Sequence, residues 1–381
     1  MVESSRYPSS FTLSRFVHRE IIVLLILCGA AIAGFIVTKA SADAAHHLRE
    51  GDARTWYGRG LAHMEQGRIE QAVEALGRAR ALDRDKQEYH LAFGRALAAA
   101  GNPTAARQAL LTLRETRPED PDVNVGLAEV EAGLSNVPEA VRFYQSALHG
   151  AWEPERLDER RRLRVRMVGY LIANDMHSRA ISQLLLLEAD LPAEPGPRLE
   201  AARLFLEAGD PGRALNVYRG VLEDDPQNAA AQTGAGRAAF ALGDFAAARR
   251  HLGRGGSEAP DVADMRALAQ AVLRVDPLQL RLSGAERRRR LAAGIAHLSG
   301  VVTACLARVP QAQSGLADHD AALRAAARPS AARTFADPEA FESGVAMVAR
   351  AAAALPDACG PPDITTRAWR VIGRARAGQL R

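Results

Sequence analysis

Covalent or metal chemistry in this chain would have to start from its cysteines and histidines, and there are only 3 and 10 of these in 381 residues. Cys28, Cys305 and Cys359 form no CxxC or CxxCH pair, and no Cys/His group has metal-ligand spacing. No zinc, haem or iron–sulfur site is expected, and no other cofactor. Cys28 lies inside an uncharged apolar run, with Leu27 where a lipoprotein site would need a small residue. It reads as one more apolar side chain. Cys305 ends an expected helix, and Cys359 lies in the Gly- and Pro-rich turn 356–362. Beyond the apolar run they are the only possible pair. In an oxidising compartment, a Cys305–Cys359 bond would close a loop of about 54 residues and stabilise by roughly 4 kcal/mol through lost chain entropy. The alternative is two reduced, buried thiols.

The histidines are scattered, and His46-His47 is the only adjacent pair. No nucleophile–base pairing, paired carboxylates or Gly-rich phosphate loop is present, so no catalytic residue is expected and the chain reads as a non-enzyme. An enzyme with a site somewhere in 263–381 is the less favoured alternative. Basic charge is almost entirely arginine, with lysine only at Lys39 and Lys86. The runs from Arg156 to Arg166 and from Arg287 to Arg290 could suggest nucleic acid. Four consecutive helical residues, however, spread over about 300°, and no aromatic residues interleave for base stacking. Solvated helix faces are the simpler reading, with anionic lipid a further possibility for Arg287 to Arg290. Beyond residue 39, 45 basic residues face 43 acidic ones, too even a balance for a nucleic-acid partner. Arginine pairs in a bidentate way with carboxylates, which favours acidic protein partners.

These side chains must be carried on helices. Only 5% of residues are aromatic, and the dominant Ala and Arg are strong helix formers. An all-α chain is expected. Ala72, Ala106 and Ala140 lie 34 residues apart, and after a six-residue insertion Ala180, Ala214 and Ala248 resume the 34-residue period. Four residues after each comes Leu76, Leu110, Tyr144, Leu184, Tyr218 or Leu252. Twelve before each comes Gly60, Gly94, Ala128, Val168, Ala202 or Gly236, and five before comes Gly67, Gly101, Ser135, Asp175, Gly209 or Gly243. Pro118, Pro192, Pro226 and Pro260 follow four of them at twelve. Two helices of roughly 14 residues fit such a unit, with the Gly-type position as their turn. The small residues let the backbones approach, the Leu or Tyr fills the seam, and proline ends the second helix.

This pattern resembles the tetratricopeptide repeat. The first unit also keeps Trp56 and Gly60 in the family's W-x-x-L-G order, with Arg59 replacing Leu. The resemblance covers units 53–86, 87–120, 121–154, 161–194, 195–228 and 229–262. It implies an α-solenoid whose first helices line a concave groove. The family's groove positions fall on Arg54, Tyr57, Leu61, Leu91, Arg95, Val165, Leu199, Arg203, Leu206, Arg237 and Phe240. Such a mix suits an extended or helical, partly acidic segment of a protein partner. The Lys and Asn clamp of chaperone-binding members is missing, because Tyr57 and Leu61 occupy its first-unit positions.

No charge occurs from Ile21 to Thr38, and as a helix those residues span about 27 Å, close to a hydrocarbon core of roughly 30 Å. A single transmembrane helix over 20–39 is expected after a tail at 1–19, with a linker at 40–52. The rival is a signal peptide cut after Ala40-Ser41-Ala42, against which the length of the apolar run argues. Flanking charge barely decides orientation. In a bacterium the favoured layout is an inner-membrane anchor with the repeats in the periplasm. Residues 263–381 should form a helical cap, including a helix opened by the capping box Ser283 to Glu286 and another opened at Asp337-Pro338. The expected role is an adaptor in the assembly or stability of a membrane or envelope complex.

Overall fold

The structure, a computed structural model, describes residues 10–309, 313–328 and 335–378. The first nine residues of the expected tail, and 310–312, 329–334 and 379–381 of the expected cap, lie outside the described residues. Among the described residues there are 17 α-helices and no strand.

Two units divide the chain, Met1–Leu157 and Asp158–Arg381. The first holds α1 (Ser10–Glu65), α2 (Ile69–Leu82), α3 (Gln87–Ala99), α4 (Pro103–Thr116), α5 (Pro121–Gly133) and α6 (Val137–Leu148). The boundary falls within the six-residue insertion, where a 3-10 turn at Pro154–Arg156 precedes α7 (Leu157–Ala173). Then come α8 (His177–Ala189), α9 (Pro195–Glu207), α10 (Pro211–Asp224), α11 (Ala229–Ala241) and α12 (Phe245–Arg254). The C-terminal helices are α13 (Pro260–Val275), α14 (Gly284–Arg308), α15 (Gln313–Ala326), α16 (Pro338–Ala354) and α17 (Ile364–Arg376).

The turn inside each hairpin is the same local object six times. Gly67, Gly101, Ser135, Asp175, Gly209 and Gly243 all have positive φ, between 57° and 87°. That left-handed residue reverses the chain and lets the next amide reach back to an orphan carbonyl five residues earlier, as Asn102 does to Leu97 and Asp244 to Ala239. Glycine adopts the conformation freely. Ser135 and Asp175 hold it at a cost of about 1–2 kcal/mol each. Short polar side chains start the following helices: Asn102, Asp210 and Asp244 each accept from an amide three residues on.

The seam also works as its spacing implies. A Cβ added at Gly60, Gly94 or Gly236 would come within 2.8 Å of Leu76, Leu110 or Leu252 respectively. The leucine 16 residues later occupies the space that the missing side chain leaves. All six repeat alanines are fully buried. Within each unit, consecutive hairpins stack so that first helices touch first helices: α3 reaches both α1 and α5, and α11 reaches both α9 and α13.

Two features lie outside the repeat rules. First, α1 is one helix of 56 residues, so the stretch 40–52 expected as a linker is helical, and the apolar run continues without interruption into the first repeat. The side chains from Ile21 to Val37 are exposed throughout, with a mean hydropathy of 2.9 over the best window. Second, the C-terminal helices share a core with the last hairpin. Leu291, Ile295, Val345, Val348 and Ile372 join Ala248, Leu268 and Val272 around the fully buried Trp369. Gly294 makes room for that indole, since a Cβ there would lie 2.3 Å from Cζ2. Burying an aromatic of this size contributes several kcal/mol, at about 25 cal/mol per Å² over roughly 200 Å². Arg367 on α17 pairs both guanidinium nitrogens with Asp264 on α13. Cys305, at the end of α14, faces Cys359 with Cα atoms 5.2 Å apart, within the span a disulfide bridges.

Candidate binding surface

The first helices of a helical-hairpin stack present side chains on one face, and in the second unit that face is hollow. Between α9 and α11 lies a groove of about 760 Å³. Leu199, Arg203 and Leu206 line it from α9 and Arg237 from α11, four of the groove positions that the repeat resemblance implied. They recur there because i, i+4 and i+7 share one helix face.

Tyr218 of α10 forms part of the groove wall from beneath, and its ring fills the space left by Gly234 on α11. A Cβ at Gly234 would lie 2.2 Å from the ring's Cζ. Burial raises the Tyr218 hydroxyl above its usual pKa range, while Arg203 and Arg237 pull it down and Glu207 adds to the rise. It therefore remains a neutral hydroxyl able to donate or accept. Thr233 adds a second hydroxyl, and Glu200 and Glu207 edge the groove.

The arginines are held but not committed. Arg203 pairs with Glu207 at 2.6 Å, and Arg237 pairs with Asp261. All four groups are substantially exposed, and such pairs are worth only about 0–1 kcal/mol. A ligand carboxylate can replace the internal partner at little cost. Apolar Leu199 and Leu206 line the same groove and offer anchor contacts.

The first unit gathers a smaller group. Tyr57 stacks on Tyr89 with ring centroids 4.7 Å apart. Burial, reinforced by Glu88, raises the Tyr57 pKa while Arg95 opposes it, and Arg54 acts on Tyr89 in the same opposing sense. Leu91 is half-buried and its Cδ1 lies near Gly126 of the next hairpin. Leu61 is exposed. Val165 is half-buried on α7 and does not line the α9/α11 groove. Nor does Phe240, which packs edge-on against Phe245 at 5.3 Å and leans on the C-terminal core. Spacing missed Tyr218 and Thr233 as groove residues. Its one usable signal was Gly234, a glycine inside a helix with no turn to explain it.

A family profile described as tetratricopeptide repeat matches residues 63–129 and 205–272. No curated protein matches the chain. Solved structures similar to it include PilF of Pseudomonas aeruginosa, at 18% identity over 54% of this chain and 90% of that one, with a TM-score of 0.39. Another is a tetratricopeptide-repeat protein of Parabacteroides merdae, at 12% identity over 63% and 91%, with a TM-score of 0.39. A third is YrrB, described as a TPR protein with an unusual peptide-binding site, at 18% identity over 52% and 97%, with a TM-score of 0.39.

Proposed function

This chain is a tetratricopeptide-repeat protein, and from that premise we propose that it is a non-enzymatic adaptor that holds a protein partner at a membrane. The observation that carries the reading is the α9/α11 groove, with two loosely paired arginines flanking an apolar floor over a buried tyrosine. It suits an extended or helical segment with an apolar anchor and two carboxylates. The first-unit group around Tyr57, Arg54 and Arg95 is a separate surface of similar character. The exposed apolar stretch of α1 is the membrane anchor. Its unbroken passage across Ala40-Ser41-Ala42 into the first repeat favours an anchor over a cleaved signal. The role is in the assembly or stability of a membrane or envelope complex, with the repeats on the extracytoplasmic side, where Cys305 and Cys359 are oxidised.

The test is Arg203→Glu with Arg237→Glu. Co-purification of the principal partner with the detergent-solubilised full-length chain should fall at least tenfold, with circular dichroism unchanged. Undiminished co-purification would move the binding surface away from this groove.

A further inference from the structure

A second cavity, of about 440 Å³, lies between α16 and α17 and shares no residue with the α9/α11 groove. Its floor is made of small side chains, Ala346, Ala349 and Ala353 on one helix and Gly373 on the other. A Cβ at Gly373 would lie 3.1 Å from that of Ala349, so the two backbones approach closely and leave a shallow trough.

The rim is cationic. Arg370 is fixed by donating to the carbonyl oxygens of Ala352 and Leu355, at 2.7 and 2.9 Å, which also satisfies the C-terminal end of α16. Arg376 is neutralised by Glu342. Among the described residues, Arg350 and Arg374, on opposite sides of the trough, have no hydrogen bond or ion pair, and no carboxylate lines the cavity. Among the described residues the rim thus carries two guanidinium groups without a partner and one held by backbone carbonyls.

We propose that this trough binds a phosphate-bearing anion, carried by a soluble phosphate ester or by a phospholipid headgroup. Planar guanidinium forks match the oxygen edges of a phosphate in a bidentate way, and several like charges on one rim favour the entry of an anion. The Ala/Gly floor leaves the volume open and gives the ligand's carbon skeleton an apolar surface.

The test uses the full-length chain in phosphatidylcholine vesicles and reads amide hydrogen exchange over α16 and α17. In one arm pyrophosphate is added; in the other, half the lipid is replaced by phosphatidylglycerol. Slowed exchange with pyrophosphate supports a soluble ester. Slowed exchange with phosphatidylglycerol alone supports a headgroup, and slowing in both arms supports the shared chemistry. Arg350→Ala with Arg374→Ala should weaken the effect about 10- to 100-fold, from the loss of charge-assisted hydrogen bonds. Ala353→Phe, which fills the trough from an exposed position, should abolish it while keeping every charge. This second variant keeps the test decisive if the arginine pair also affects folding. Unchanged exchange in both arms, or equal slowing in wild type and Ala353→Phe, overturns the proposal.

Discussion

The six left-handed turns allow a prediction in which the sign of the effect reverses between equivalent positions. Gly101 has φ 72° and Ser135 has φ 57°, and each is the reversal point of its hairpin. Gly101→Ala places a Cβ in the left-handed region, at about 1–2 kcal/mol. Its reduced unfolded-chain entropy returns about 0.4–1 kcal/mol, leaving a net loss near 1 kcal/mol. Ser135→Gly runs the same balance backwards and should gain up to about 1 kcal/mol. Nothing lies within 4 Å of a Cβ built at Gly101, so steric clash does not enter there. Ser135 is exposed, so its hydroxyl is not lost from a buried site. For a unit of about 150 residues, 1 kcal/mol moves the melting temperature by roughly 2–4 °C. The assay is paired urea and thermal unfolding of the full-length protein in mild detergent, followed at 222 nm (the usual helical band), comparing midpoints because repeat arrays need not unfold in one step. If Ser135→Gly destabilises as much as Gly101→Ala, the turn geometry does not control stability and the argument fails.

Replacing Ala106 or Ala214 by Arg should destabilise by several kcal/mol, because both are fully buried and the new side chain overpacks the seam with a charge; an unchanged melting temperature would refute the packing described. Full-length protein should stay with membranes through a carbonate wash, whereas a chain starting at Ala44 should be soluble and helical; release of the full-length protein by alkali would remove the anchor. Thiol labelling without reductant should modify only Cys28 after denaturation, and labelling of all three cysteines would show that Cys305 and Cys359 are not bridged.

The repeat was legible because it rests on local demands that recur in every unit. A left-handed residue must appear at each reversal, and a small residue faces the seam residue in five of the six units. Ser135 and Asp175 show how firm the first demand is, since both take the conformation without being glycine. The groove was legible only in part. The repeat resemblance reports which helix face a residue occupies, and that placed Leu199, Arg203, Leu206 and Arg237 together. It does not report what the neighbouring unit leaves open. Tyr218 reaches the groove because Gly234, on another helix, has no side chain. Phe240 holds a groove position by count, but its unit is the last, so the cap helices follow it and Phe245 and the C-terminal core engage its ring. The docking of α17 against α13 depends on contacts across about a hundred residues, such as Arg367 with Asp264, which no short-range pattern encodes.

The continuity of α1 carries a geometric consequence. A helix advances about 1.5 Å and turns about 100° for each residue. The 13 residues of 40–52 therefore set the first repeat roughly 20 Å beyond the apolar stretch and fix its azimuth about the anchor axis. Inserting one residue there would lift the hairpin only slightly but swing it more than a quarter turn, whereas inserting seven would bring it back to within about 20° of its original heading. Length changes in this stretch are thus rotations first and extensions second, and a partner fixed in the same bilayer would tolerate them in steps of seven.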